Sequence, residues 1–147
     1  MPVTVLFLCT GNSARSQMAE AFLKHIGGDR FDVASAGSQP AARVHPMTEA
    51  VMEEINIPLS GAYPKHMSQF LAGHWDFVIT VCDKARDACP TFPGDTQSIH
   101  WGFDDPAAAE GTEEERLRVF RHVRDEILSR IRLFAATFSA TKPARAR

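Results

Sequence analysis

The chain has 147 residues, of which 44% are hydrophobic and 23% charged, with a formal net charge of −2. That length and balance fit one globular domain with a real core, and they exclude a nucleic-acid-binding electrostatic footprint. No apolar run approaches the roughly 18 residues of a membrane span, and no secretory leader pattern precedes the first apolar run, so a cytoplasmic protein that does not engage membranes is expected. The cysteine count is three. An odd number argues against a structural disulfide framework and for catalytic, redox or metal-binding thiols.

The first predicted element is a strand, Val3, Val5, Leu6, Phe7 and Leu8, ending at Cys9. The stretch Cys9, Thr10, Gly11, Asn12, Ser13, Ala14, Arg15 then leads into a helical pattern. Strand, tight loop and helix form a place where α/β proteins bind oxyanions. Backbone N–H groups line the loop, and the helix start adds partial positive charge. Gly11 and Asn12 suit the left-handed backbone angles of such a nest. Arg15 supplies a planar guanidinium that grips two oxygens. The same surroundings are expected to ionise Cys9. A free thiol has a pKa near 8.5, and a helix N-terminus with a nearby cation lowers it to roughly 3.5–7.5.

Residues 16–26 read as a helix, with Met18, Phe22 and Ile26 on one stripe and Gly27 and Gly28 ending it. Glu20 is either a solvated residue or turns back beneath the loop. A second strand covers 31–35. Alternating strands and helices predict a parallel sheet with right-handed crossovers and a ligand beyond the carboxyl ends of its strands. Ser35 then shares an edge with Cys9, either bonding the loop or serving the turn at Ala36, Gly37 and Ser38.

A helix over 46–55 starts with Pro46 at its first position. A short helix over 67–71 follows, then a buried strand over 76–81 and a weaker one over 97–101. The last helix, 113–134, carries the stripe Leu117, Phe120, Val123, Ile127, Ile131 and Phe134, with a capping box from Thr112 and Glu115. Arg118, Arg121, Arg124, Arg130 and Arg132 read as mostly a solvated face. The domain is placed at 1–138, and 139–147 as a frayed tail.

Cys82 follows the third strand directly, on the same sheet edge as Cys9, and Cys89 lies seven residues on. The six histidines are scattered and no second cysteine pair stands at zinc spacing, so no metal is expected. A regular helix over 83–88 would separate Cys82 and Cys89 by about 10 Å of rise, whereas a disulfide needs Cα atoms below about 7 Å. Bonding this pair therefore requires the segment to unwind, and Pro90, Pro93 and Gly94 favour that. Residues 82–96 are expected to be mobile and to change shape with oxidation.

CTGNSARSQMAEA resembles the C-x5-R loop of low-molecular-weight tyrosine phosphatases, and more closely that of arsenate reductases sharing their fold. CDKARDACP followed by HWGFDDPA is similar to thioredoxin-coupled arsenate reductases; the phosphatases carry the loop and the Asp-Pro but not this cysteine pair. The likeness runs from Val3 to about Phe134. It implies a single-domain α/β fold with a four-stranded parallel sheet, order 2-1-3-4, flanked by helices on both faces. It implies an oxyanion cradle of Thr10, Gly11, Asn12, Ser13, Ala14 and Arg15. Cys9 is then the nucleophile, Cys82 the second thiol and Cys89 the third. Asp105 is the acid that protonates a departing oxygen, since like charge beside an anionic site lets a carboxylic acid keep its proton near pH 7. Ser16 bonds the Cys9 sulfur and Ser13 helps hold the loop.

The implied reaction is reduction of arsenate to arsenite, for arsenic detoxification, with phosphate or sulfate as analogues. Two thiols supply the electrons, so no cofactor is expected, and thioredoxin is the implied reductant. Glutathione or mycothiol with glutaredoxin-type partners are the competing reductants. The alternatives are a tyrosine phosphatase using Cys9, Arg15 and Asp105, and a non-enzymatic redox or anion sensor. Two residues depart from relatives. Ala14 stands where several carry another loop cysteine. Some bind a monovalent cation through Asn, Glu, Ser and Asp; Asn12, Glu20 and Ser35 match, but Lys65 takes the Asp position. Its ammonium is expected to replace the ion, so activity should not respond to potassium over sodium.

Overall fold

The computed structural model describes residues 2–89, 92 and 94–138. Four strands, β1 (Val3–Cys9), β2 (Phe31–Gly37), β3 (Phe77–Thr80) and β4 (Gln97–His100), form one parallel sheet in the order β2-β1-β3-β4. Four helices flank it: α1 (Arg15–Gly27), α2 (Pro46–Glu53), α3 (Asp83–Ala88) and α4 (Glu113–Ala136). Short 3-10 turns cover Gly28–Arg30, Met67–Phe70 and Pro106–Ala108. The expected sheet order and element sequence are therefore present. No described helix is long and apolar enough to cross a membrane.

β1 is central because its side chains are apolar on both faces. Val3, Val5, Leu6, Phe7 and Leu8 are all fully buried, as a strand covered on both sides requires. The parallel register aligns the carboxyl ends. Cys9 lies opposite Gly37, and Leu8 lies opposite Thr80, so the chain leaves β1, β2 and β3 on one edge. The α4 stripe packs as read, with Phe120, Val123, Ile127 and Ile131 buried, and α4 opens with the Thr112–Glu115 capping box.

Boundaries shift in places. β2 runs two residues past the expected end, to Gly37. α2 stops at Glu53, and Asn56 follows in a left-handed conformation that turns the chain. The α4 arginines are mostly exposed, as read, with Arg118, Arg130 and Arg132 at the surface, but Arg124 is an exception and Arg121 is half-buried. Arg124 is only 8% exposed. Its Nη1 donates to the Val51 carbonyl (3.0 Å) and to Glu54 (2.9 Å), and its Nε donates to Asp125 (2.9 Å). Arg121 grips Glu54 and Glu114, so these two arginines bind α4 to the end of α2. Arg130 lies over the Trp101 ring, and Arg118 and Arg132 face solvent. Residues 83–88 form a wound helix between Cys82 and Cys89. Of the segment expected to give way, Pro90 and Pro93 lie outside the described residues, as does the expected tail 139–147.

Candidate active site

The loop between β1 and α1 gets its shape from a backing segment. The Cys9, Thr10, Gly11 and Ser13 carbonyls accept N–H groups from Ser38 (3.3 Å), Gln39 (2.9 Å), Ala41 (2.9 Å) and His45 (3.0 Å). In a planar trans peptide the next residue's N–H points opposite to the carbonyl. The N–H groups of Thr10, Gly11, Asn12 and Ala14 therefore face away from residues 38–45, towards the cradle. One of them shows its direction directly: the Asn12 N–H donates to Cys9 Sγ at 3.2 Å.

Asn12 is the keystone. It is fully buried with φ 51°, the left-handed angle expected there. Gly11, also expected to be left-handed, does not adopt a positive φ; one reversal suffices. The Asn12 side chain donates to Ser16 Oγ (2.7 Å) and Ser35 Oγ (3.0 Å) and accepts from Gln17 Nε2 (3.2 Å) and the Lys65 N–H (2.9 Å). The Ser35 hydroxyl donates to Glu20 at 2.6 Å, so Glu20 does turn beneath the loop, with Lys24 paired to its outer oxygen. Ser16 lies 2.9 Å from Cys9 Sγ, as expected. Ser13 holds the loop through its carbonyl, and Ala14 is buried at the start of α1. Lys65 donates its ammonium to the Tyr63 carbonyl (2.8 Å); burial lowers its pKa, Glu20 opposes this only in part, and Lys24 adds to it.

Burial works against the expected ionisation of Cys9. Cys9 is 3% exposed, and burial pushes its thiol up. Ser16, the Asn12 N–H and Arg15 pull the other way without prevailing. Arg15 pulls least because its guanidinium is turned to the far wall. There it donates to the Phe103 carbonyl (3.0 Å) and lies 3.7 Å from Asp105 Oδ2. Asp105 Oδ1 accepts the Ala107 N–H (3.0 Å), which fixes the carboxyl at the head of the Pro106–Ala108 turn, and buried Pro106 anchors that turn.

A cavity of about 550 Å3 brings Arg15, Cys82 and Asp105 together: Thr10, Arg15, Cys82, Phe103, Asp104 and Asp105 are in its lining, and buried Cys9 is not. Cys82 is 5% exposed, and its Sγ lies 3.4 Å from the Thr10 hydroxyl and accepts the Ala85 N–H at 3.4 Å. Cys89 is half-buried at the other end of α3, and burial raises its pKa. All three cysteines are thiols.

Over residues 4–144 the sequence matches the model of the low molecular weight phosphotyrosine protein phosphatases. The chain belongs to that family. Within reach of the same family are arsenate reductases. That of Halalkalibacterium halodurans is 50% identical over 133 residues, 90% of this chain and 95% of that protein. Among solved structures, an arsenate reductase in the phosphate binding state is 34% identical with a TM-score of 0.76, covering 93% of this chain and 99% of that one. A thioredoxin-dependent arsenate reductase of Corynebacterium glutamicum is 33% identical with a TM-score of 0.64, covering 90% of this chain and 63% of that one.

Sequence reasoning missed three contributors to this family loop. Gln17 is 2% exposed and donates to the Asn12 and Tyr63 carbonyls, both at 3.1 Å. Gly37 lets β2 end against the loop: a Cβ there would lie 2.4 Å from the Thr10 carbonyl oxygen. Gly37→Ala should therefore displace the cradle. Overpacking of this kind costs about 1–3 kcal/mol, and a displaced reacting group costs on the order of 100-fold in rate. A lower Tm together with lost turnover is expected; unchanged kinetics would contradict it.

His45 is the third. Its Nδ1 accepts the Met47 N–H (3.1 Å) at the start of α2, its N–H holds the Ser13 carbonyl, and its ring packs on Phe120. Burial lowers its pKa below 6.5, Arg116 and Arg43 lower it further, and Asp105 opposes them. A protonated Nδ1 cannot accept. The folded pKa is depressed, so this contribution to stability is full above pH 6.5 and lost as pH falls through the lowered value. His45→Asn keeps a capping acceptor and should flatten the acid arm of Tm against pH relative to the parent protein.

Proposed function

We propose that the protein reduces arsenate to arsenite through Cys9, Cys82 and Cys89, with a thioredoxin-type dithiol restoring it. The observation that carries this is the place of Cys82. Cys82 lines the cavity of Arg15 and Asp105, and its sulfur lies 3.4 Å from the hydroxyl of Thr10, the residue next to Cys9. Hydrolysis of a phosphate ester has no use for a thiol there. The arsenate reductases among the relatives support the same reading.

The steps balance. Arsenate settles into the N–H cradle, with Arg15 swinging from Phe103 to grip it. The incoming oxyanion is the nearest base for the Cys9 proton. Cys9 Sγ bonds to arsenic, Asp105 protonates the departing oxygen, and water leaves. The thiol and monohydrogen arsenate supply its two protons in sum. Cys82 then attacks Cys9 Sγ. The S–As bond breaks with its electron pair left on arsenic, which departs as arsenite, and a Cys9–Cys82 disulfide remains. Cys89 attacks Cys82, Cys9 leaves as a thiolate, and the Cys82–Cys89 disulfide takes two electrons from the reductant's dithiol. In this reading Lys65, whose ammonium bonds the Tyr63 carbonyl and whose N–H holds Asn12, stands where some relatives carry the Asp of a monovalent-cation site, so exchanging potassium for sodium should leave turnover unchanged.

The test is arsenate-dependent NADPH oxidation with thioredoxin and its reductase, beside a glutathione and glutaredoxin system. Sustained turnover with the first alone is expected. Turnover with neither, together with hydrolysis of aryl phosphates, would make the chain a phosphatase using Cys9, Arg15 and Asp105.

A further inference from the structure

The helix between Cys82 and Cys89, α3, is tied to the end of the sheet at its first residue. β3 and β4 pair with Thr80 opposite His100. The Thr80 hydroxyl lies 2.8 Å from His100 Nδ1, and His100 Nε2 lies 2.9 Å from Asp83 Oδ1. Asp83 is the first residue of α3 and follows Cys82 directly. A carboxylate only accepts, so Nε2 carries a proton and donates to it. The Thr80 hydroxyl serves either remaining state of the ring. It donates to a bare Nδ1, or it accepts from a protonated one and turns its hydrogen to the Ile99 carbonyl (3.5 Å). The imidazole thus joins the first residue of α3 to the end of the sheet. Gly102 packs over the joint, with the position of a Cβ there 3.4 Å from His100 Nε2, at the start of the segment that carries Asp105. Thr80 is 4% exposed, so the sheet end of this clamp is fixed, whereas the Asp83 side chain is 77% exposed.

We infer that His100 is a positioning residue for the relay: by holding Asp83 it keeps α3 wound and so sets how readily the Cys82–Cys89 disulfide forms and is reduced. This rests on the relay proposed above. Cys82 and Cys89 flank α3, a rise of about 10 Å while it is helical, and they bond only when their Cα atoms come within about 7 Å. The disulfide form therefore requires α3 to unwind at least in part. Any contact present in the wound form and lost in the unwound one opposes oxidation and favours reduction. The bond from His100 to Asp83 is such a contact. The clamp gives the thiol pair an oxidising character, which eases its discharge to an external dithiol.

The test equilibrates the Cys9→Ser protein, in which Cys82 and Cys89 are the remaining thiols, with mixtures of reduced and oxidised dithiothreitol. The reduced form passes two electrons and two protons to the protein disulfide, and the fraction oxidised is read by alkylation and mass. In that background His100→Ala should shift the equilibrium towards the disulfide by about three- to fivefold, the upper end for one exposed charged contact. His100→Gln, whose amide nitrogen can replace Nε2 as donor to Asp83, should return it to within about twofold of the parent. Asp83→Ala should shift it the same way. It also removes a negative charge from the first turn of the helix, which is why His100 is the deciding position. Asp83→Ala with His100→Ala together should add little to Asp83→Ala alone. An unchanged constant in His100→Ala, or a shift towards the dithiol, overturns the clamp. If His100→Ala fails to fold, the exposed Asp83→Ala decides, and its constant matching the parent's overturns it. If the parent pair forms no disulfide at any ratio, the relay itself fails and takes the clamp with it.

Discussion

Cys82→Ser should end multiple turnover with arsenate and leave hydrolysis of aryl phosphates running. Serine keeps the size of the side chain and can still bond the Thr10 hydroxyl that faces Cys82 Sγ at 3.4 Å, so the cavity wall stays in place. What disappears is the sulfur that takes Cys9 away from arsenic. Hydrolysis needs only the loop with Cys9, Arg15 and Asp105; of these, Arg15 and Asp105 line the same cavity, which Thr10 of the loop also reaches. Arsenate reduction followed by arsenite release, against release of nitrophenol, separates the two activities in one preparation. Sustained arsenite production by the serine variant would remove the relay from consideration. Equal loss of both activities would mean that Cys82 serves the shape of the site rather than its redox chemistry.

Asp105→Asn should lower both activities by about 10²–10⁴, the usual worth of a positioned general acid. Asparagine retains an oxygen for the Ala107 N–H, now held by Asp105 Oδ1 at 3.0 Å, so the turn at Pro106–Ala108 survives. Only the proton is lost. Across a series of aryl phosphates the loss should therefore shrink as the leaving group becomes more acidic and needs less help. A loss independent of the leaving group would assign Asp105 to holding Arg15, whose Nη2 lies 3.7 Å from its Oδ2.

The parts that could be read from the sequence are those written in side chains at fixed spacing. Val3 to Leu8 announce a strand buried on both faces, and Cys9 to Arg15 announce the loop. Thr112 and Glu115 announce the start of α4, and the capping box is there. What escaped was written in backbone or in tertiary burial. Residues 38–45 support the anion loop with N–H groups that any residue but proline supplies, so no residue type signals them. Gly37 looked like turn punctuation, yet it is needed because Thr10's carbonyl lies where a side chain would begin. Arg124 resembled its exposed neighbours in the sequence; only the packing of α2 against α4 shows that it reaches Val51 and Glu54. The Cys9 pKa went astray for a related reason. Local donors could be inferred from the motif, but the burial that outweighs them belongs to the assembled sheet and helices.

That same burial bears on survival under oxidative stress. Peroxide attacks the thiolate, and it must reach the sulfur to do so. With 3% exposure, Cys9 is a poor target between turnovers, and irreversible sulfinic acid should accumulate there slowly. Incubation with hydrogen peroxide, with and without a bound oxyanion, followed by mapping of the oxidised peptides, should find Cys89, the half-buried thiol, modified before Cys9.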